Sequence, residues 1–184
     1  MPHRAFIGLG TNLGDRAAHY RQAIQQLGRL PESRIVRHSS IYETEPVGDI
    51  EGVFLNGVVE LETEMPADVL MRRLLAIERS MGRKRNAGRQ PLARRKYRPR
   101  PIDLDLLFFD KEIIRTPSLT VPHPRLHERR FVLAPMAELA PALIHPELNV
   151  SISELLAALK SPQRVTLARV DLLRPVSTRE VLTR

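Results

Sequence analysis

The chain has 184 residues, which suits one domain with a substantial core, and it contains no cysteine, which excludes disulfides, thiol catalysis and Cys-ligated zinc. Its formal net charge of +8 favours nucleic acid or phosphate-rich small molecules as partners, but aromatic residues make up only 4%, few for a single-stranded nucleic-acid binder. No apolar run approaches the roughly 18 residues of a membrane span, and we expect a cytoplasmic protein without membrane contact.

The first half of the chain predicts a strand, a helix and two further strands. RAFIGLGTNLGD indicates a strand over residues 5–9. Asp15 is suited to capping the next helix, whose apolar residues keep helical spacing until Gly28. Residues 35–43 are β-prone, and residues 53–62 alternate apolar and polar side chains as a strand does.

The second half predicts a helix, a basic loop, a strand and two more helices. Pro66 suits the first turn of the helix, and Gly82 suits its end. Every charged residue in 83–100 is positive, which with its glycine and prolines predicts a loop. A strand over 102–109 follows, and then helices at about 128–139 and 152–159.

This order of elements predicts the fold class. A β-α-β-β-α-β sequence followed by helices is typical of an α+β, ferredoxin-like fold, in which helices pack on one face of an antiparallel sheet. We therefore expect a single domain over residues 1–160 with extra C-terminal helices. Residues 161–184 form a basic tail to which we assign no structure or role, and a monomer is the simplest assembly.

The stretch YRPRPIDLDLLFFD contains two aspartates, Asp103 and Asp105, inside an apolar strand. Side chains alternate along a strand, so the two carboxylates share one face, about 6.6 Å apart at the Cα atoms, where they repel by roughly 2.5 kcal/mol at an effective dielectric of 20. Magnesium would turn that repulsion into attraction. An acidic solvent face remains the alternative. The residues expected on the opposite face are Ile102, Leu104, Leu106 and Phe108.

The basic segment beside this pair favours a site that holds metal and phosphate together, because arginines neutralise phosphate charge that the metal leaves over. A nucleic-acid arm and a solvated charge run remain as alternatives. The sequence has no GxxxxGK[ST], GxSxG or HExxH motif. His123 in TVPHPRL is typical of a structural histidine, and a phosphate contact is plausible only together with Arg125, Arg129 and Arg130.

Six segments occur in the order found in one family, 6-hydroxymethyl-7,8-dihydropterin pyrophosphokinase of folate biosynthesis. They are GLGTNLGD, SSIYETEPVG, FLNGVVELET, IERSMGR, RPRPIDLDLLFF and LTVPHPRLHERRFVLAPMAEL. Over about residues 4–160 the chain resembles this family. The resemblance implies an enzyme that transfers pyrophosphate from ATP to the hydroxymethyl group of the pterin and releases AMP. It also implies two Mg²⁺ ions, small-molecule substrates and no nucleic-acid partner.

The resemblance also implies site residues by motif position. It assigns the metal to Asp103 and Asp105, and catalysis to those two with Arg83, Arg85 and Arg100. The implied ATP contacts are Glu78, Arg83, Arg85, Arg100, Leu106, Thr120, His123 and Arg129. The implied pterin contacts are Gly10, Thr44, Val47, Phe54, Asn56 and Phe131. The two phenyl rings would sandwich the flat pterin, and no residue is assigned as a general base.

Two other functions remain open from the sequence. One is a basic, ferredoxin-like nucleic-acid-binding module, although such sheets carry exposed aromatic residues that are scarce here. The other is a non-catalytic relative that binds pterin or nucleotide without turnover. Salt-dependent RNA affinity would favour the first, and ATP binding without AMP release would favour the second.

Overall fold

The computed structural model describes residues 1–45, 52–82 and 100–170, and it contains a mixed α/β fold around an antiparallel sheet. The strands are β1 His3–Thr11, β2 Ser33–His38, β3 Tyr42–Thr44, β4 Phe54–Thr63, β5 Asp103–Phe109, β6 Ile114–Arg115, β7 Thr120–Val121, β8 Ile144–His145, β9 Val150–Ser151 and β10 Val165–Leu167. The helices are α1 Arg16–Leu27, α2 Ala67–Ser80, α3 Arg130–Leu139 and α4 Ile152–Ala158, with a short 3₁₀ helix at Leu126–Glu128.

The main sheet has the strand order β10-β3-β4-β1-β5, and β2 also pairs with β4. Every pairing in it is antiparallel. The β-prone segment 35–43 forms two strands rather than one. Between them lies Ser39, whose buried side-chain oxygen accepts a hydrogen bond from the Val58 amide of β4 at 2.9 Å. The chain thus bends along one edge of β4 and pairs with it twice.

Helices cover both faces of this sheet. On one face, α1 and α2 bury Tyr20, Leu27, Leu70 and Leu74 against β1, β4 and β5. The opposite face is covered by α3 and α4, whose buried residues pack around Phe6. Each fully buried side chain of this size contributes about 1.5–3 kcal/mol of hydrophobic stabilisation. The prediction of helices on one face therefore describes α1 and α2, and the extra C-terminal helices close the other face.

A bulge in β5 changes which side chains face which core. Ile7 of β1 pairs with Leu106 of β5. The residue before Ile7 in β1, Phe6, pairs with Phe108, so Leu107 has no partner in this register. The extra residue turns the strand. Phe108 therefore packs with the α3 side and Phe109 with the α1 and α2 side. The expectation that Phe108 would share a face with Leu106 is wrong. Asp103 and Asp105 precede the bulge and keep the predicted alternation.

The helix ends agree with the sequence signals. The Asp15 carboxylate accepts a hydrogen bond from the Ala18 amide at 2.9 Å, so it caps α1. Pro66 precedes the first residue of α2, and Gly82 follows that helix with a φ of +89°, which a residue with a side chain rarely adopts. Among the described residues, no helix is long and apolar enough to cross a membrane.

Candidate active site

Two glycines of β1 lie between β4 and the acid pair of β5. Gly10 lies directly between Asn56 of β4 and Asp103 of β5, and Gly8 lies between Val58 and Asp105. A Cβ atom on Gly10 would lie 3.0 Å from the Asn56 side-chain oxygen. The absence of a side chain at Gly10 therefore leaves room for the Asn56 amide. Two strand spacings, roughly 10 Å, separate Asn56 from Asp103 on the same face of the sheet.

The two predicted metal ligands lie close to two arginines and a histidine. Arg100 Nη1 is 2.7 Å from Asp103 Oδ2, and Arg129 Nη1 is 3.8 Å from Asp105 Oδ2. Burial raises the pKa of Asp105 to about 7, and the neighbouring charges of Asp103 and Glu78 add to that effect, while Arg129 opposes it. The carboxylate of Asp105 therefore lies in surroundings whose negative charge is only partly neutralised.

Glu78 of α2 supports the start of β5 from the opposite core. Its side chain is fully buried, and one carboxylate oxygen accepts a hydrogen bond from the Leu104 amide at 2.8 Å. Leu104 lies between the two aspartates, so this bond fixes the backbone on which they are mounted. The ATP contact implied for Glu78 stays a prediction.

His123 faces the same carboxylate from the loop that follows β7. Its Nε2 atom is 4.0 Å from Asp105 Oδ2, and its Nδ1 atom accepts a hydrogen bond from the Arg125 amide at 3.3 Å. Burial lowers the pKa of His123 to about 4, with Arg129 as the next cause. The ring is therefore neutral at pH 7 and carries its proton on Nε2, where it can donate to an anionic oxygen.

A cleft of about 270 Å³ continues from Asp105 toward β7. Leu106, Thr120 and His123, three of the residues implied for ATP, line it together with Asp105 and Pro124. Because Asp105 lines this cleft, phosphate groups bound there would lie beside the acid pair.

Four of the residues implied for the pterin lie close together on the sheet. Asn56 Nδ2 donates a hydrogen bond of 2.6 Å to Thr44 Oγ1, and Thr44 pairs with Phe54 across β3 and β4. Phe54 and Phe131 are both half-buried, and the guanidinium carbon of Arg129 lies 5.6 Å from the centre of the Phe131 ring. The structure therefore brings Gly10, Thr44, Phe54 and Asn56 onto three neighbouring strands.

The sequence profile of the 7,8-dihydro-6-hydroxymethylpterin-pyrophosphokinase family, HPPK, matches residues 6–141 of this chain. The chain belongs to this family. The resemblance inferred from the six segments is confirmed, as is the assignment of a pyrophosphokinase of folate biosynthesis.

Individual relatives agree with the family assignment. The 2-amino-4-hydroxy-6-hydroxymethyldihydropteridine pyrophosphokinase of Bacillus subtilis is 42% identical over 140 residues, which are 76% of this chain and 79% of the relative. The protein of the same name from Pseudomonas aeruginosa is 37% identical over 159 residues, 86% of this chain and 93% of the relative. These pyrophosphokinases thus match most of the chain along most of their own length.

A solved structure supports the fold alone. The wild-type Plasmodium falciparum HPPK-DHPS with SDX-DHP superposes with a TM-score of 0.67 at 15% identity, over 85% of this chain. The chain described here spans only 44% of that larger chain.

Three implied site residues, Val47, Arg83 and Arg85, lie outside the described residues. Sequence reasoning missed Asn12, although it lies in the quoted segment GLGTNLGD. Asn12 Oδ1 accepts a hydrogen bond from the Arg100 backbone amide at 2.9 Å, and the Asn12 backbone amide donates to the Arg100 carbonyl at 3.4 Å. Asn12 thus fixes the backbone from which Arg100 reaches Asp103. A polar residue directly after a buried strand was the available signal.

A second group of potential metal ligands, His3, Asp110 and Glu112, lies at the other end of β1. His3 Nδ1 is 2.7 Å from one Asp110 carboxylate oxygen, and the Arg4 amide donates to the other at 2.7 Å. Both oxygens of Asp110 therefore already hold the start of β1 against the end of β5.

Proposed function

We propose that this chain transfers the pyrophosphoryl group of ATP to the hydroxymethyl oxygen of 6-hydroxymethyl-7,8-dihydropterin, with release of AMP. The observation that carries this proposal is the row Asn56, Gly10 and Asp103 across three strands, which separates a hydrogen-bonding amide from an acid pair by roughly 10 Å. The pterin would bind on the Asn56 side and the phosphates on the aspartate side.

In the proposed reaction the hydroxymethyl oxygen forms a bond to the β-phosphorus, and the bond from that phosphorus to the α,β-bridging oxygen breaks. That oxygen and its electron pair leave with AMP, and the hydroxyl proton leaves for a base that we do not assign. Such a transfer depends mainly on alignment and charge neutralisation. Arg100 and Arg129 are within reach of the two carboxylates. Arg83 and Arg85 are proposed to add positive charge during the transfer.

Asp103 and Asp105 fit the Mg²⁺ that the family resemblance implies. Their ligand atoms are hard carboxylate oxygens, and the raised pKa of Asp105 indicates a site at which a cation relieves charge repulsion. Bound Mg²⁺, proposed as two ions, would neutralise charge on the triphosphate.

We propose the remaining contacts by subsite. Glu78, Leu106, Thr120, His123 and Arg129 would serve ATP, and the position of three of them around one cleft supports this. The neutral His123 ring would donate from Nε2 to a phosphate oxygen. Thr44, Val47 and Asn56 would contact the pterin edge, Gly10 would allow its close approach, and Phe54 and Phe131 would stack on its faces.

We also propose that the fold is ferredoxin-like in its detail. The order of β5, β1, β4 and then β2 with β3, together with α1 and α2 on one face, supports this description. Residues 1–160 would be the pyrophosphokinase domain, and 161–184 an extension whose residues 165–167 pair with the sheet edge.

The test is AMP formation from ATP and Mg²⁺, with and without the pterin, and ³¹P NMR to identify a diphosphate on the pterin product. AMP that forms only with the pterin would support the proposal. ADP as the product would replace it with single-phosphoryl transfer. The absence of both nucleotides, with tight binding of ATP and pterin, would replace it with a non-catalytic binder.

A further inference from the structure

Residues 163–168 run along the outer edge of β3, beyond the residues that the family profile matches. We propose that this C-terminal segment is a positioning element for the pterin subsite, and that it acts by holding β3 in register with β4. The inference rests on the proposed function, because it assigns a role to that site's supporting strand.

The segment is joined to β3 along the whole length of that strand. Thr166 lies opposite Glu43 in the register of β10 and β3. On one side of this pair the Glu45 amide donates to the Arg164 carbonyl at 3.3 Å, and on the other the Ala168 amide donates to the Ile41 carbonyl at 2.8 Å. Residues 164, 166 and 168 therefore exchange hydrogen bonds with β3 and the residues on either side of it, while Val165 presents its amide away from that strand.

β3 depends on this support because it is short. It has three residues, and its pairing with β4 covers only those three. A pairing of this length is marginal by itself, and each added backbone hydrogen bond contributes about 0.5–1.5 kcal/mol. With β10 in place, β3 has a hydrogen-bonded neighbour on both sides. The Gln163 side chain adds a further bond of 2.7 Å to the Glu45 carbonyl.

A shift of β3 would reach the proposed pterin subsite through a single hydrogen bond. Thr44 of β3 accepts from Asn56 Nδ2 at 2.6 Å, and this bond sets which way the Asn56 amide is turned. The oxygen of that amide then lies on the Gly10 side, 3.0 Å from the position that a Gly10 Cβ would occupy. If β3 moves, the amide loses its partner and its fixed orientation.

The Glu43 side chain of β3 contacts α1. Arg16 Nη1 donates to the Val53 carbonyl at 2.6 Å and lies 3.4 Å from Glu43 Oε1. Glu43 thus meets Arg16 through its side chain and Thr166 through its backbone. The C-terminal segment and Arg16 together fix β3 relative to the start of β4, which carries Phe54.

The test compares two proline variants of the full chain. Thr166→Pro removes an amide that bonds to β3, whereas Val165→Pro removes one that faces away, so the second variant is the matched control. We expect Thr166→Pro to raise the KM for the pterin and its equilibrium Kd about tenfold, with the KM for ATP and kcat at saturating pterin within about twofold of wild type. Val165→Pro should keep all four values near wild type.

The outcomes separate this inference from a purely structural role. A lower Tm with unchanged pterin Kd in folded Thr166→Pro would overturn it, as would equal effects in both variants. If Thr166→Pro does not fold, Gln163→Ala decides, with an expected loss of about threefold in pterin affinity and an unchanged value as the contrary result. If the wild type forms no AMP, the proposed function fails, and the equilibrium pterin titration of the same variants still judges the role of the segment.

Discussion

Two carboxylates on the central sheet, Glu60 of β4 and Asp105 of β5, both lie beside arginines, but the fold treats their charges in opposite ways. Burial by itself would raise the pKa of Glu60, yet hydrogen bonds from Arg4 at 2.6 Å and Arg37 at 2.5 Å outweigh it and hold that pKa below its ordinary value. Burial and neighbouring acids instead raise the pKa of Asp105 to about 7, since Arg129 lies farther away at 3.8 Å.

The difference separates a carboxylate that the fold neutralises from one that we propose as a metal ligand. The fold neutralises Glu60 with two arginines in contact, so no other cation is needed there. Around Asp105 the fold places two further acids, Asp103 on the same strand and Glu78 on α2, and a bound cation would relieve their repulsion. Perturbed acids in a cleft are typical of functional sites, whereas a paired acid on a sheet face is typical of stability.

The largest expected effect is on kcat, when the charge of either proposed metal ligand is removed. Asp103→Asn and Asp105→Asn should each lower kcat about 1,000-fold, because a metal–phosphate site contributes several kcal/mol to the transition state. AMP formation measures this, and circular dichroism should show an unchanged fold. Glu60→Gln is the matched control and should keep kcat per folded molecule. A variant at either aspartate with more than half of the wild-type rate would contradict the metal assignment.

The second largest effect should be a loss of stability when the charge of Glu60 is removed. Glu60→Gln should lower the free energy of unfolding by about 1–3 kcal/mol, because it removes charge-assisted bonds from Arg4 and Arg37. Urea denaturation measures this. The folded pKa of Glu60 is lowered, so its contribution is present above the ordinary value of 4.5 and is lost as pH falls through the folded pKa. A difference between wild type and variant that grows in acid would contradict this account.

The sequence predicted the helix ends well because the signals that mark them are local. Asp15, Pro66 and Gly82 mark helix ends through hydrogen bonding or backbone geometry within a few residues, and the structure confirms each of them. The side-chain direction of Phe108 was wrong because a bulge depends on the partner strand, which periodicity along one strand does not report. The strand at Val165–Leu167 was missed for the same reason, since only the exposed edge of β3 makes that segment a strand.

Candidate site residues were predictable as types and as motif positions, but their mutual arrangement was not. The pair Asp103 and Asp105 is visible in the sequence because two acids interrupt an apolar strand. The row formed by Asn56, Gly10 and Asp103 is not visible in the sequence, because it requires Gly10 to be the residue that pairs with both of the others. Asn12 was missed because its role is to bond backbone atoms 88 residues away.

A smaller effect on Tm should show how much the ionised Asp105 carboxylate costs in folding free energy. The folded pKa of Asp105 is raised from 3.8 to about 7, so ionisation costs folding free energy as pH rises through that interval and costs none below it. The side chain is 35% exposed, so solvent screening reduces the penalty to about 1 kcal/mol. Without metal, Asp105→Asn should therefore raise Tm by about 3 °C at pH 8 and leave it unchanged near pH 4. Added Mg²⁺ should stabilise only the wild type. A variant that is less stable than wild type at pH 8 would contradict this account.

The smallest effect should come from an exposed acid that contacts neither Glu60 nor Asp105. Asp68 lies in the first turn of α2 and 2.7 Å from Arg72, but its side chain is 58% exposed. Exposed pairs of this spacing contribute about 0.3–0.5 kcal/mol, so Asp68→Asn should change stability by about 0.5 kcal/mol, with a loss that shrinks at high salt. Urea denaturation at low and high salt measures this. If Asp68→Asn cost as much as Glu60→Gln, the protein would respond to any lost carboxylate, and the separation between Glu60 and Asp105 by their surroundings would fail.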